Sequence, residues 1–266
     1  MKPAISISIC LCCWNDLPYL KILFGSILKN TSVPYEICVY DNGSIDGTQE
    51  WLQKQLNIKY ILGDKNLGTT AVNKAIQMAV GRNILWINSD MYLLPGYDKE
   101  LTKTVDKYKG SVLVCPYIIE PQGFYGKVSK TIVHDSGDTH KNFNETDLLK
   151  FYDTVKNKSY VDIYDYTHPV CLTKETWDRI EGLDEDYFPG WAVDCQFTYD
   201  AFCLGIKPIK TGKAFVYHFV SKTLKGTCFS EEESAKMCSD GLKLFNQKTG
   251  LTHSSLGQLI RQGELI

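Results

Sequence analysis

The sequence predicts an α/β protein built on a mixed, mostly parallel sheet flanked by helices. Three observations predict it. Short β-rich runs alternate with helical patterns through the first half, turn and cap residues sit at the junctions, and polar residues fall at strand ends. The run "AISISICLC" (4–12) is the first strand, and Leu17, Leu20, Phe24, Ile27 and Leu28 mark one face of a following helix with Asp16 as N-cap. "YEICVY" (35–40) is the second strand, and Asp46 with Gln49 has the spacing of a capping box for a helix through Trp51 and Leu52. "IKYIL" (58–62) is a third strand. Beyond the loop 63–68, Ala71, Val72, Ala75, Ile76 and Ala79 form a helical face that stops at Gly81. "NILWIN" (83–88) is the fourth strand.

The second half is less regular. "SVLVCPYII" (111–119) is a strand, and 120–160 is polar and poorly periodic, which predicts a functional insertion or a mobile loop. Thr173 reads as the N-cap of a helix carrying Trp177 and Ile180, closed by Gly182. A helix opening at Asp194 carries Phe197, Ala201 and Leu204 on one face and ends at Gly205, and "AFVYHFV" (214–220) is a late strand holding His218. One more helix is expected over 231–248, with 251–266 a tail that docks or trails.

Composition narrows the function classes. With 266 residues, 44% hydrophobic, 23% charged and a formal charge of −2, the chain gives no global reason to expect nucleic acid or an anionic membrane as partner. No apolar stretch approaches the ~20 residues that cross a bilayer, and the N-terminal run reads as a strand, not a signal peptide. The 10 cysteines are scattered. Cys10 and Cys13 have C-x-x-C spacing, but on a strand i and i+3 face opposite sides and no second pair completes a zinc site. Buried free thiols in a reducing compartment fit better, so a cytoplasmic location is expected, where the four N-x-S/T sequons carry no weight.

In a mostly parallel sheet the ligand crevice lies beyond the carboxyl ends of the strands. Asn15, Asp41, Asn66 and Asp90 all fall at or just after such ends. Each has a plainer reading too: Asp41 before Asn42-Gly43 as a turn, Asp90 as a turn residue, Asp194 as a helix cap, His218 as a core side chain. Neither a P-loop nor a G-x-G-x-x-G is present, so those phosphate-cradling modes are excluded.

Five segments occur in order: "ISISICLCCWN", "EICVYDNGSIDGT", "NLGTTAVNKAI…VGRNILWINSDMYLLPG", "GLDEDYFPGWAVDCQF" and "AFVYHFVSKT". Together they resemble the family 2 inverting glycosyltransferases with the GT-A fold, over roughly residues 4–225. The resemblance implies a GT-A-like domain at 1–225 with a helical extension at 226–266. It implies a donor that is a nucleotide-diphosphate sugar, UDP foremost, and an acceptor hydroxyl on a glycan, protein or lipid-linked chain.

The residue roles follow from the same resemblance. Asp41 and Asn42 would hold the nucleotide, with Cys13, Trp14 and Asn15 along base and ribose, and Asn66 and Gly68 on the opposite wall, where a missing Cβ lets backbone come close. Asn88-Ser89-Asp90 stands where the family has Asp-x-Asp. Asp90 and His218 would then hold Mn²⁺ or Mg²⁺, while Asn88 reaches the ribose or a water on the cation. Lys222 would contact the diphosphate, and Trp191 with Phe188 would form a platform for a sugar ring. The base maps to Asp194, kept ionised by its helix dipole; the family's neighbouring acid is replaced by Val193. Two rivals remain at this level: a nucleotide-sugar-binding module without catalysis, and a sugar-1-phosphate nucleotidyltransferase.

Overall fold

A computed structural model describes residues 4–122, 131–158, 163–164, 168–220 and 230–262. The expected alternation fills the first third: β1 (Ile7–Cys13), α1 (Leu17–Asn30), β2 (Tyr35–Asp41), α2 (Thr48–Leu52), β3 (Ile58–Leu62), α3 (Val72–Gln77) and β4 (Asn83–Trp86). Beyond it come β5 (Met91–Leu93), α4 (Tyr97–Lys107), β6 (Val112–Glu120), β7 (Ile132–Val133), α5 (Glu145–Val155), β8 (Ile163–Tyr164), β9 (Val170–Thr173), α6 (Lys174–Ile180), α7 (Val193–Cys203), β10 (Lys207–His218), α8 (Glu231–Thr249) and α9 (His253–Gln262).

The strands form one sheet in the order β3-β2-β1-β4-β9-β6-β10-β5, with β7 on β6 and β8 on β10. The β3-β2-β1-β4 half is parallel. On the other side β9 runs antiparallel to both β4 and β6, and β10 runs parallel to β6. It follows that β1, β2, β3, β4, β6 and β10 all point the same way. Their last residues, Cys13, Asp41, Leu62, Trp86, Glu120 and His218, therefore share one edge of the sheet. The reversed strands put their entrances there: His218 pairs with Met91 at the start of β5, and Trp86 with Val170 at the start of β9. Topology thus collects residues from five distant parts of the chain.

Period-two alternation explains the two-sided core. On β1, Ile7, Ile9, Leu11 and Cys13 pack with α1 residues such as Leu20 and Phe24, while Cys10 joins the opposite cluster with Ala75, Trp177 and Phe197. The opposed facing of Cys10 and Cys13 is as the strand period requires, and all described cysteines are free thiols.

Several local expectations need correction. Leu28 and Leu204 are 70% and 45% exposed and belong to no core face. Asp16 makes no cap bond; its carboxylate instead accepts from the Ser89 hydroxyl, and Asp46 takes the Leu17 amide at 2.9 Å. No capping box forms at α2, because Gln49 turns to the Asp41 carboxylate, 2.7 Å away. The 120–160 stretch is not patternless: α5 is capped by Asn144 and buries Leu148, Tyr152 and Val155. At 251–266, α9 docks, with Leu256 and Ile260 in the same buried cluster as Phe245 of α8. Among the described residues no helix is long and apolar enough to cross a membrane.

Candidate active site

Above the shared strand edge lies a cleft with about 1000 Å³ of empty space, part of it open to solvent. Eleven of the fifteen expected site residues line it: Cys13, Trp14, Asn42, Asn66, Gly68, Asn88, Ser89, Asp90, Trp191, Asp194 and His218. Lys222 lies outside the described residues. Phe188, 57% exposed, faces a neighbouring hollow with Lys65 and Lys74.

Asp41 and Asn15 stand outside the lining. The Asp41 carboxylate is fully buried and accepts from the amides of Gly43 (3.1 Å) and Ser44 (2.9 Å) as well as from Gln49. Asn15 accepts from the Ile45 amide at 2.8 Å, and its own amide donates to Ser44 Oγ. Both residues shape the turn that presents Asn42. They brace the wall and do not form it. Asn42 in turn grips the next loop, accepting from Leu67 N (3.0 Å) and donating to Gly68 O (3.1 Å).

Gly68 has a different reason for lacking a side chain than the one expected. Its φ is +72°, and an added Cβ would sit 2.5 Å from the Pro189 carbonyl oxygen, so the space belongs to protein and not to a ligand. Thr69 N donates to that same carbonyl at 2.8 Å, and Gly190 likewise leaves room for the Thr69 side chain. These contacts seal the 66–69 loop onto the 188–191 loop. Gly68→Ala combines left-handed backbone strain with a backbone clash and is expected to destabilise the fold by about 1–3 kcal/mol, read as a lowered urea midpoint at unchanged slope.

At the β6–β10–β5 corner sits an acidic, buried constellation. His218 is 4% exposed, Asp90 3% and Glu120 fully buried. His218 Nδ1 lies 3.0 Å from Glu120 Oε1, and its Nε2 lies 3.6 Å from Asp90 Oδ1. Burial opposes a charged ring, but the charges of Asp90 and Glu120 and their hydrogen bonds outweigh it and push the imidazole up to about 9. Glu120 Oε2 has no hydrogen-bond partner. Two buried acids against one imidazole leave an excess of negative charge, and the oxygen–nitrogen donor pair suits a divalent cation. Among the described residues no cluster of three or more His, Cys, Asp or Glu would hold a metal by itself. Mg²⁺-type sites are those where one or two protein groups share the ion with phosphate oxygens and water. A carboxylate behind the imidazole fixes which nitrogen faces the ion. Glu120 was invisible to sequence reasoning because it sits at the end of an ordinary apolar strand; only the β6–β10 pairing brings it to His218.

Asp194 lies in the first turn of α7. The N-cap is Ala192, whose side chain makes no cap bond; the Asp194 carboxylate sits against the Asp194 and Cys195 amides of that first turn. Ala192 holds φ at +64°, a strained value for a residue with a Cβ, and it too lines the cleft. The helix dipole was expected to keep Asp194 ionised and ready to accept a proton. Burial raises its pKa, against the lowering influence of His253 and of the Cys195 and Asp194 amides. The outcome is a carboxylate tuned towards proton acceptance.

The segment ahead of Asp194 is held from behind by the C-terminal helices. Lys248 of α8 pairs with Asp184 (2.5 Å) and Asp186 (2.7 Å). Gly241 packs so closely that a Cβ would lie 2.4 Å from the Trp191 carbonyl oxygen.

His168 also lines the cleft and was missed. It precedes β9, its ring rests on Trp86 with centroids 4.3 Å apart, and burial together with the His218 charge lowers its pKa to about 3, against Asp90. No motif marks it in the sequence.

Comparison with known proteins agrees with this geometry. The model of Glycosyl transferase family 2 matches residues 8–177. The chain is 25% identical over 168 residues to the putative glycosyltransferase EpsH of Bacillus subtilis (strain 168), covering 61% of this chain and 47% of that protein. It is 31% identical over 104 residues to the uncharacterized glycosyltransferase YwdF of the same organism, covering 38% of this chain and 39% of that one. The chain thus spans less than half the length of both relatives. Among solved structures, GalNAc-T7 with UDP, GalNAc and Mn²⁺ superposes with a TM-score of 0.61 at 14% identity, over 82% of this chain and 44% of that one. S. aureus TarS 1–349 in complex with UDP gives 0.58 at 16% identity, over 94% and 73%. With the fold and the family match in agreement, the chain belongs to glycosyl transferase family 2 and has the GT-A fold.

Proposed function

We propose that the chain is a metal-dependent inverting transferase, moving a sugar from a UDP-sugar to a hydroxyl of a glycan, protein or lipid-linked acceptor. One observation carries the reading: a carboxylate–imidazole pair suited to a cation and a separate carboxylate of raised pKa line the same cleft. Trp14, Cys13, Asn42 and Asn66 would flank base and ribose, with Asn88 at the ribose. Ser89, its hydroxyl already donated to Asp16, would contribute backbone or shape only. Asp90 and His218 would hold Mn²⁺ or Mg²⁺, which when bound offsets the charge growing on the departing diphosphate.

Asp194 would take the proton as the acceptor O–H bond breaks and its oxygen attacks the anomeric carbon. The bond to the diphosphate would break on the opposite face, so configuration inverts. Trp191 would pack against a sugar ring, and Phe188, in its outer hollow, would meet the acceptor. That a structure with UDP, GalNAc and Mn²⁺ and another with UDP share the fold supports UDP and a divalent cation.

A thermal-shift series with UDP, GDP and dTDP, each with and without Mn²⁺, tests the reading, since a ligand that binds only the folded state raises its apparent stability. The largest rise is expected with UDP and Mn²⁺ together. No shift with any nucleotide would refute the reading.

A further inference from the structure

We infer that His168 is a donor-sugar contact and that the sugar it takes is uncharged; the inference rests on the nucleotide-sugar reading above and adds the identity of a specificity residue. Neither ring nitrogen of His168 has a hydrogen-bond partner, and both are buried. Buried polar atoms are nearly always paired, because leaving one unpaired forfeits its hydration for nothing. Two orphans on one ring, on a residue that lines the family's reaction cleft, point to partners that arrive with the ligand.

Placement supports this. The chain enters β9 at the sheet edge where Trp86 pairs with Val170, so His168 sits beside the corner holding Asp90 and His218. Both of those groups act on it electrostatically. Its ring is tilted by 51° against the Trp86 indole, which braces the imidazole at the cleft wall. A neutral imidazole offers one donor and one acceptor, the complement of a hydroxyl that both accepts and donates.

The charges of the cleft select among sugars. Asp90 and Asp194 line it, and no lysine or arginine does among the described residues. A neutral pyranose meets no penalty there. A sugar carboxylate would face those two carboxylates and, among the described residues, no lysine or arginine.

His168→Phe tests the inference, because it keeps a ring for Trp86 and removes both nitrogens. Calorimetry in Mn²⁺ would compare UDP, UDP-glucose, UDP-N-acetylglucosamine, UDP-galactose and UDP-glucuronate on wild type and variant, alongside their melting temperatures. The expected result is unchanged UDP affinity, a roughly 5- to 10-fold loss for at least one neutral UDP-sugar, and a higher melting temperature once the two orphans are gone. Wild type should bind UDP-glucuronate more weakly than that neutral sugar. An equal preference for UDP-sugar over UDP in both proteins would overturn the sugar contact, whatever the melting temperature does. Tight UDP-glucuronate binding would overturn the charge argument. If His168→Phe fails to fold, His168→Leu gives the same comparison. Should wild type bind no UDP at all, the donor reading itself is refuted and this inference falls with it.

Discussion

Asp194→Asn is expected to cut turnover by roughly 10²–10⁴ while donor affinity stays within about twofold of wild type. The substitution is nearly isosteric and its side-chain oxygen can still accept from the first-turn amides, so α7 should form as before. What disappears is the lone pair that accepts the proton. The assay need not wait for the natural acceptor: sugar release from the donor with water as acceptor uses the same base. Its pH dependence supplies an independent sign. Burial raises the Asp194 pKa, the reactive form is the ionised one, and so activity should fall as pH drops through a value above the ordinary carboxylate range. The Asn variant should lose that acid limb as well as the rate. Near-normal turnover in it would remove Asp194 from the mechanism.

Asp90→Ala attacks the other end of the cleft. A cation offsetting leaving-group charge contributes several kcal/mol to the barrier, so a loss on the order of 10³ in turnover is expected. The diagnostic readout is binding, not rate. In wild type, Mn²⁺ should tighten UDP binding; in the variant UDP should bind with nearly the same weak affinity whether or not Mn²⁺ is present. A variant that keeps the full Mn²⁺ effect would mean that the cation sits elsewhere. Asp90 has an alternative role to separate from this one, since its backbone carbonyl accepts from the Phe219 amide at 3.1 Å. That bond is main-chain and survives the substitution, whereas the buried Asp90–His218 contact is lost, so the melting temperature is read beside the binding.

Much of this was legible in the sequence, for identifiable physical reasons. The β3-β2-β1-β4 half was readable because each strand is joined to the next through a helix with a clear apolar face, and the polar residues at strand ends then marked the crevice edge. In the β9-β6-β10-β5 half, β6 and the end of β10 were readable as strands, but β5, β9 and the pairing order were not. There β5 has three residues and β9 four, too short for a period to emerge, and the antiparallel reversals pair strands far apart in the chain. Residues contributed by that half, Glu120 and His168, were missed for the same reason.

The misread residues have a second cause. Asp41, Asn15 and Gly68 were expected at the nucleotide from their positions, but position does not tell which side of a wall a side chain occupies. Asp41 faces amides, and Gly68 makes room for Pro189. A motif shows that a residue type is needed, not whether the need is the ligand's or the loop's.

The grip of α8 on 184–191 bears on how such an enzyme could be re-engineered. Anyone transplanting that stretch from a relative to redirect acceptor choice would be exchanging one half of a clasp: Lys248 would lose its two carboxylates, and Gly241 would meet an unfamiliar backbone. The interchangeable cassette is therefore discontinuous, the loop together with the helix that bears on it, and chimeras cut at the loop alone should be the ones that arrive inactive.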